Sequence, residues 1–167
     1  MLSAALPSHP VRAGSGSNVV TAGRLAGLAA AAIVVLWGGI LAIAAIERRL
    51  PDAQQWYGHA AVHLWTAAIA LSIAWVGLVA LRGHQVPVGS LRRLVAAVVA
   101  IASLVTVANV LDAVGAYPSL RTFHDRVNAV AAPAGWVLLI GLVVLVVVAS
   151  ATVLRASPVP PARDPQT

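Results

Sequence analysis

The chain has 167 residues, of which 60% are hydrophobic and 10% charged, and its formal net charge is +6. This composition is too apolar for an ordinary soluble domain, and so short a chain cannot bury that much apolar sequence in a soluble core. All eleven basic residues are arginine, spread over tails and loops, so the charge does not indicate a nucleic-acid-binding protein. The absence of cysteine excludes disulfides, thiol redox chemistry and thiolate metal ligands.

Four long apolar runs predict four transmembrane helices, over about residues 25–46, 53–81, 93–112 and 122–154. Each run has roughly the 18–25 apolar residues that a helix needs to cross about 30 Å of hydrocarbon. A helix also satisfies its own backbone polar groups, which lipid cannot do. We therefore predict an all-α integral membrane protein with a four-helix bundle over residues 24–155. The flanking residues 1–23 and 156–167 are predicted to be a flexible tail and a disordered tail.

Two sequence patterns predict where helices begin. Asp52 with Gln55 resembles a capping pair at the start of helix 2, and Thr122 with Asp125 fits a capping box at the start of helix 4. The first apolar run is longer than the roughly 7–15 residues of a secretory signal, which favours an uncleaved first helix.

The arginines predict the orientation of the bundle. Seven of the eleven lie in the two tails and in the loop after helix 2, and four lie in the other two loops. The positive-inside rule then places both termini in the cytoplasm. The use of arginine without lysine, with much Ala, Val and Gly, suggests a high-GC bacterium. We therefore expect a multi-pass protein of a bacterial inner membrane.

Polar side chains recur at one end of three predicted helices. On helix 2, His59 and His63 are four residues apart and share a face, which continues into alanines predicted to pack inward. Helices 3 and 4 carry similar stripes at spacings of three and four residues. The set comprises His59, His63, Thr106, Asn109, Asp112, His124 and Asn128, all on the side opposite both termini. Because polar groups in a bilayer are costly, this one-ended cluster indicates a functional site.

These residue types suit a metal ion. The three histidines are predicted as nitrogen ligands, with Asp112 as a fourth ligand or as a group that supports them. Asn109, Asn128 and Thr106 are predicted to surround the ligands and to orient them. Imidazoles and one carboxylate suit Zn(II), Cu(II) or non-haem iron. Two further histidines, His9 and His84, are predicted on the cytoplasmic side and so outside the site.

The same residues also permit structural interpretations. Asp112 near the C-terminus of helix 3 opposes the helix dipole and calls for a cation, which Arg121 or Arg126 could supply instead of a metal. His59 can be solvated at headgroup depth, and His63 can be a hydrogen-bonded packing residue. Trp56, Tyr57 and Tyr117 are predicted as anchors at the membrane surface.

Several functional classes remain open at this point. Histidines from helices 2 and 4 could bind haem b, as in four-helix membrane cytochromes, although this is analogy at the level of architecture. Alternatively, the protein is a non-catalytic accessory or assembly subunit that contacts a membrane partner or forms a homo-oligomer. No charged residue lies in the middle of a span, which disfavours a transporter. No Ser, Thr or Cys lies in a nucleophile motif, so the sequence does not predict an enzyme.

Overall fold

The computed structural model describes residues 15–83, 85–86 and 89–156 of the chain. Its four long helices are α1 (Ser15–Glu47), α2 (Gln55–Arg82), α3 (Ser90–Gly115) and α4 (Arg121–Ala156). Short 3-10 turns at Asp52–Gln54 and Pro118–Leu120 precede α2 and α4. All four helices are long and apolar enough to cross a membrane, and the described residues contain no strand. The prediction of an all-helical chain with four such helices is confirmed.

The helices form a ring around an apolar interior. Each helix packs against the next in the chain, and α4 packs against α1. The interior includes Val98, Ala102 and Val105 of α3 with Leu138 and Leu142 of α4, all of them buried. We call the end where α1 and α3 finish and α2 and α4 begin the histidine end. The opposite end, where Arg24 of α1 and Arg92 of α3 lie, is the arginine end.

The first helix begins earlier than predicted. α1 starts at Ser15, so residues 15–23 are helical and the predicted tail is wrong over that stretch. Ala22 is fully buried and belongs to the same core cluster as Leu25, which explains why the helix continues beyond the apolar run. The remaining parts of the predicted tails, residues 1–14 and 157–167, lie outside the described residues.

Both predicted capping pairs differ from the structure. Gln55 Nε2 donates to Asp52 Oδ1 at 3.0 Å, but no side chain caps the backbone of α2. α4 already begins at Arg121, after a 3-10 turn, so Thr122 lies inside its first turn instead of before it. The turn starts at Pro118, whose fixed φ favours the first position of a helical turn.

α1 and α2 approach each other closely toward the histidine end. Trp65 Nε1 donates to the Leu36 carbonyl oxygen at 3.2 Å. The indole packs directly on the backbone of Gly39, where any larger residue would place its Cβ inside the ring. Gly58 leaves similar room for the Glu47 side chain. These contacts fix the height at which α2 carries its histidines.

Candidate metal centre

Three imidazoles meet at the histidine end of the bundle. His59 Nε2 of α2 lies 2.8 Å from His124 Nε2 of α4 and 3.3 Å from His63 Nε2 of α2. One ligand nitrogen from each histidine lies within 4.8 Å of the other two. His63 is buried, while His59 and His124 are half-buried. The structure thus brings together all three histidines predicted as ligands.

The hydrogen bonds of Asn109 determine which nitrogen of His63 is free. Asn109 Nδ2 donates to the Val105 carbonyl oxygen at 3.0 Å, which turns its Oδ1 toward His63 Nδ1 at 3.1 Å. An amide oxygen only accepts, so His63 Nδ1 carries the hydrogen and donates it. The lone pair of His63 Nε2 therefore points at the other two histidines. This is how a protein orients a histidine that binds a metal.

Asp112 is the fourth member of the cluster and is fully buried. Its Oδ2 lies 3.4 Å from His63 Nδ1, and its Oδ1 lies 3.3 Å from His124 Nε2. Neither oxygen accepts a hydrogen bond from a described group of the protein. Oδ2 thus lies near His63 Nδ1, the nitrogen that faces away from the other histidines, while Oδ1 lies near His124 Nε2, one of the nitrogens at the centre of the cluster.

Two features of this site were not predicted. Asp125, which we expected to cap α4, has Oδ1 only 3.5 Å from His124 Nδ1, so it lies where it can orient that ring. Gly115, the last residue of α3, lies so close to His124 that an added Cβ would come within 2.9 Å of the His124 Cα. This close approach at the α3–α4 turn brings His124 to Asp112.

No hydrogen bond joins the other predicted members, Thr106 and Asn128, to the histidines or to Asp112 among the described residues. The Thr106 hydroxyl donates to the Ala102 carbonyl oxygen of its own helix at 2.8 Å. Asn128 is half-buried and makes no side-chain hydrogen bond with the described residues. Arg121 and Arg126 are exposed, and neither forms an ion pair with Asp112 in the part of the chain that the structure describes. His9 and His84 lie outside the described residues.

Two of the nitrogen separations are close to those around one shared cation. Nitrogens at 2.0–2.1 Å from a tetrahedral zinc are separated from one another by about 3.3 Å. The separations from His59 Nε2 are 2.8 and 3.3 Å, and the three ligand nitrogens lie within 4.8 Å of one another, so binding of one ion by all three would require a small movement of the rings. The described residues therefore form a possible metal site.

Comparison with protein-family models, with curated proteins and with solved structures found no match. The geometry of the chain itself is thus the basis of the functional argument below.

The Asp112→Asn variant tests whether the buried carboxylate of Asp112 lacks a compensating cation in the metal-free protein. In metal-free protein we expect this change to raise the free energy of unfolding by about 1–3 kcal/mol, because it removes a buried carboxylate that lacks a cation. The measurement is reversible unfolding in mixed detergent after treatment with a chelator. Asp52→Asn, at an exposed position, is the control and should change the free energy by less than about 0.5 kcal/mol. A destabilised Asp112→Asn variant would show that a protonated histidine already neutralises the carboxylate.

Proposed function

We propose that this protein is a bacterial inner-membrane protein that binds one divalent transition metal at its histidine end. His59, His63 and His124 supply the ligand nitrogens, and Asp112 supplies the negative charge. The observation that carries the proposal is the convergence of three imidazole nitrogens beside a buried carboxylate that accepts no hydrogen bond from the described residues. Asn109 Oδ1 accepts from the outer nitrogen of His63, and Asp125 Oδ1 lies 3.5 Å from the outer nitrogen of His124.

Zn(II) fits this donor set best. Three neutral imidazoles and one carboxylate form a four-coordinate set without thiolates, and Cu(II) and non-haem iron accept the same donors. If Asp112 Oδ1 binds the ion, protein groups fill all four positions, as in structural zinc sites. A closed site of this kind suits a non-catalytic protein. The alternative of an accessory or assembly subunit is compatible with it, and a membrane partner or homo-oligomer stays a prediction.

A cluster whose side chains serve only to hydrogen-bond one another explains the burial of Asp112 less well than a metal site does. Polar side chains that only satisfy one another should leave no buried acceptor unpaired. Here the most buried group is a carboxylate near the C-terminus of α3, where the helix dipole already disfavours a negative charge. A divalent ion among the imidazoles compensates this charge, whereas neutral histidines do not.

Haem b fits the cluster poorly. Haem iron takes its axial ligands from opposite faces of a wide planar ring, which must lie between the two imidazoles. In this structure the His59 and His124 rings are in direct contact, with centroids 4.9 Å apart and their Nε2 atoms 2.8 Å apart. The geometry favours a single ion over a porphyrin.

The proposed orientation follows from the distribution of charge. Arginines concentrate at the arginine end and in the tails beyond it, which under the positive-inside rule places both termini in the cytoplasm. The metal site then faces the outside of the cell. Trp56 stacks on Tyr57 and meets Tyr117 edge-on at 5.1 Å, and this aromatic group suits the membrane surface at that end.

Reporter fusions test the orientation. We expect alkaline phosphatase, which is active only outside the cytoplasm, to be active when it replaces the chain after Ala116 and inactive when it follows Thr167. Green fluorescent protein at the same two positions should give the reverse pattern. Active phosphatase after Thr167 would contradict the orientation and would move the metal site to the cytoplasmic side.

Metal content tests the site directly. Protein expressed with Zn, Cu and Fe should carry roughly one ion per chain, and His63→Ala combined with His124→Ala should carry less than about one tenth of that. The measurement is elemental analysis of purified protein, with an absorption spectrum to detect haem. The double variant of His9 and His84 is the control and should keep the ion. Unchanged metal in the His63/His124 variant, with a normal helical spectrum, would rule out the site.

Substitutions of Asn109 and Asn128 form a matched pair of tests for the orientation of His63. Asn109→Leu should weaken metal binding about 10–100-fold, because it removes the acceptor that orients His63. Asn128→Leu should leave the affinity within about twofold, because Asn128 makes no side-chain hydrogen bond with the described residues. Competition against a fluorescent chelator measures both affinities. Equal losses in the two variants would show that Asn109 does not orient a ligand.

A further inference from the structure

A second site lies in the half of the bundle nearer the arginine end. It is an apolar cleft of about 270 Å³ between α1 and α2, with α3 and α4 as its floor. On α2 its lining runs from Ile69 to Gly77, and Ile69 is six residues, or about 9 Å, from His63; none of the lining residues belongs to the histidine cluster. The cleft and the metal site are therefore separate.

The cleft has an exposed rim and a buried floor. Leu28 and Val35 of α1 and Val76 of α2 lie on the rim and are exposed. The floor contains Val98 of α3 and Leu142 of α4, which are buried. A cavity of this kind opens sideways, toward the space that lipid chains occupy around a membrane protein.

The lining offers nothing for a polar ligand to bind. Ser72 is its one hydroxyl-bearing residue, and that hydroxyl donates to the Ala68 carbonyl oxygen of its own helix at 2.9 Å. The other lining residues are aliphatic or glycine. Hydrocarbon is the chemical class that such a wall accommodates at no cost in hydrogen bonds.

Arginines stand at the mouth of the cleft on the arginine end. Arg24 is exposed and precedes the rim residue Leu28 by four positions, so it lies on the same face of α1. Arg92 is half-buried and precedes the floor residue Val95 by three positions. Its Nη2 donates to the Leu81 carbonyl oxygen at 3.2 Å, which holds the guanidinium at the end of α2.

These charges have no acidic partner in the described chain. The described acidic residues are Glu47, Asp52, Asp112 and Asp125, and all four lie at the histidine end. No ion pair joins Arg24 or Arg92 to any of them. Two unpaired guanidiniums beside a hydrocarbon-lined cleft are complementary to a phosphate that carries an acyl chain.

We propose that the cleft binds one anionic phospholipid, with an acyl chain between α1 and α2 and the phosphate on Arg24 and Arg92. The proposal rests on the membrane insertion that forms part of the proposed function, but not on the metal site. The bound lipid fills the space that α1 and α2 leave open on the side away from the Trp65 contact.

Native mass spectrometry tests this lipid site. Chelator-treated protein is reconstituted in nanodiscs with equal amounts of phosphatidylglycerol and phosphatidylcholine, then released and weighed. We expect wild-type protein to retain one phosphatidylglycerol in preference to phosphatidylcholine. Ala32→Phe, which fills the cleft, should lower the ratio of lipid-bound to lipid-free protein roughly tenfold. Ala30→Phe, on the exposed face of α1, should leave this ratio unchanged.

The arginines are tested in the same assay. Arg24→Gln should reduce retention of phosphatidylglycerol roughly tenfold and abolish the headgroup preference, because a charge-assisted contact with phosphate is lost. Arg49→Gln, at the histidine end, is the control and should retain the lipid.

Three results would each overturn the proposal: equal retention of the two lipids by wild-type protein, equal losses in Ala30→Phe and Ala32→Phe, or a dimer that forms through the cleft. Because the protein is metal-free, failure of the metal site would leave these results unaffected.

Discussion

The arrangement at the histidine end depends on one buried charge, the carboxylate of Asp112. It lies near the C-terminus of α3, where the helix dipole and the surrounding protein both disfavour a negative charge. Its nearest nitrogens belong to His63 of α2 and His124 of α4. Because neutral imidazoles do not compensate the charge, we propose that a bound cation stabilises this end, and the three imidazole nitrogens lie close enough together to form a possible metal site.

A bound ion would connect helices that the rest of the bundle does not join closely. In the ring, α2 and α4 lie opposite each other, and the contact between His59 and His124 crosses from one to the other. A ligand that binds only the folded state stabilises it by mass action. Metal binding at this end should therefore stabilise the packing of α2, α3 and α4 together. α1 contributes through its Leu36 carbonyl oxygen, which accepts from Trp65 of α2, and through Glu47 beside Gly58.

The sequence predicts some of this structure and not the rest, for physical reasons. Long apolar runs predict four helices because length and hydropathy are local properties. The spacing of His59 and His63 places both rings on one face, and the structure brings His124 and Asp112 to them. The role of Asp125 could not be foreseen, because it depends on where α4 begins. The supporting role predicted for Thr106 stays a prediction, and spacing alone does not show that its hydroxyl donates back to its own helix.

We propose ligands of opposite charge for the two ends of the bundle, and the uneven distribution of acidic residues and arginines supports both proposals. All four described acidic residues lie at the histidine end, and one of them is buried beside three imidazoles. At the other end Arg24 and Arg92 have no acidic partner among the described residues. The positive-inside rule explains why arginines gather at that end but not why the apolar cleft lies next to them. The proposed phospholipid would account for the cleft and the charge together, as the proposed metal ion would account for the buried carboxylate and the converging histidines.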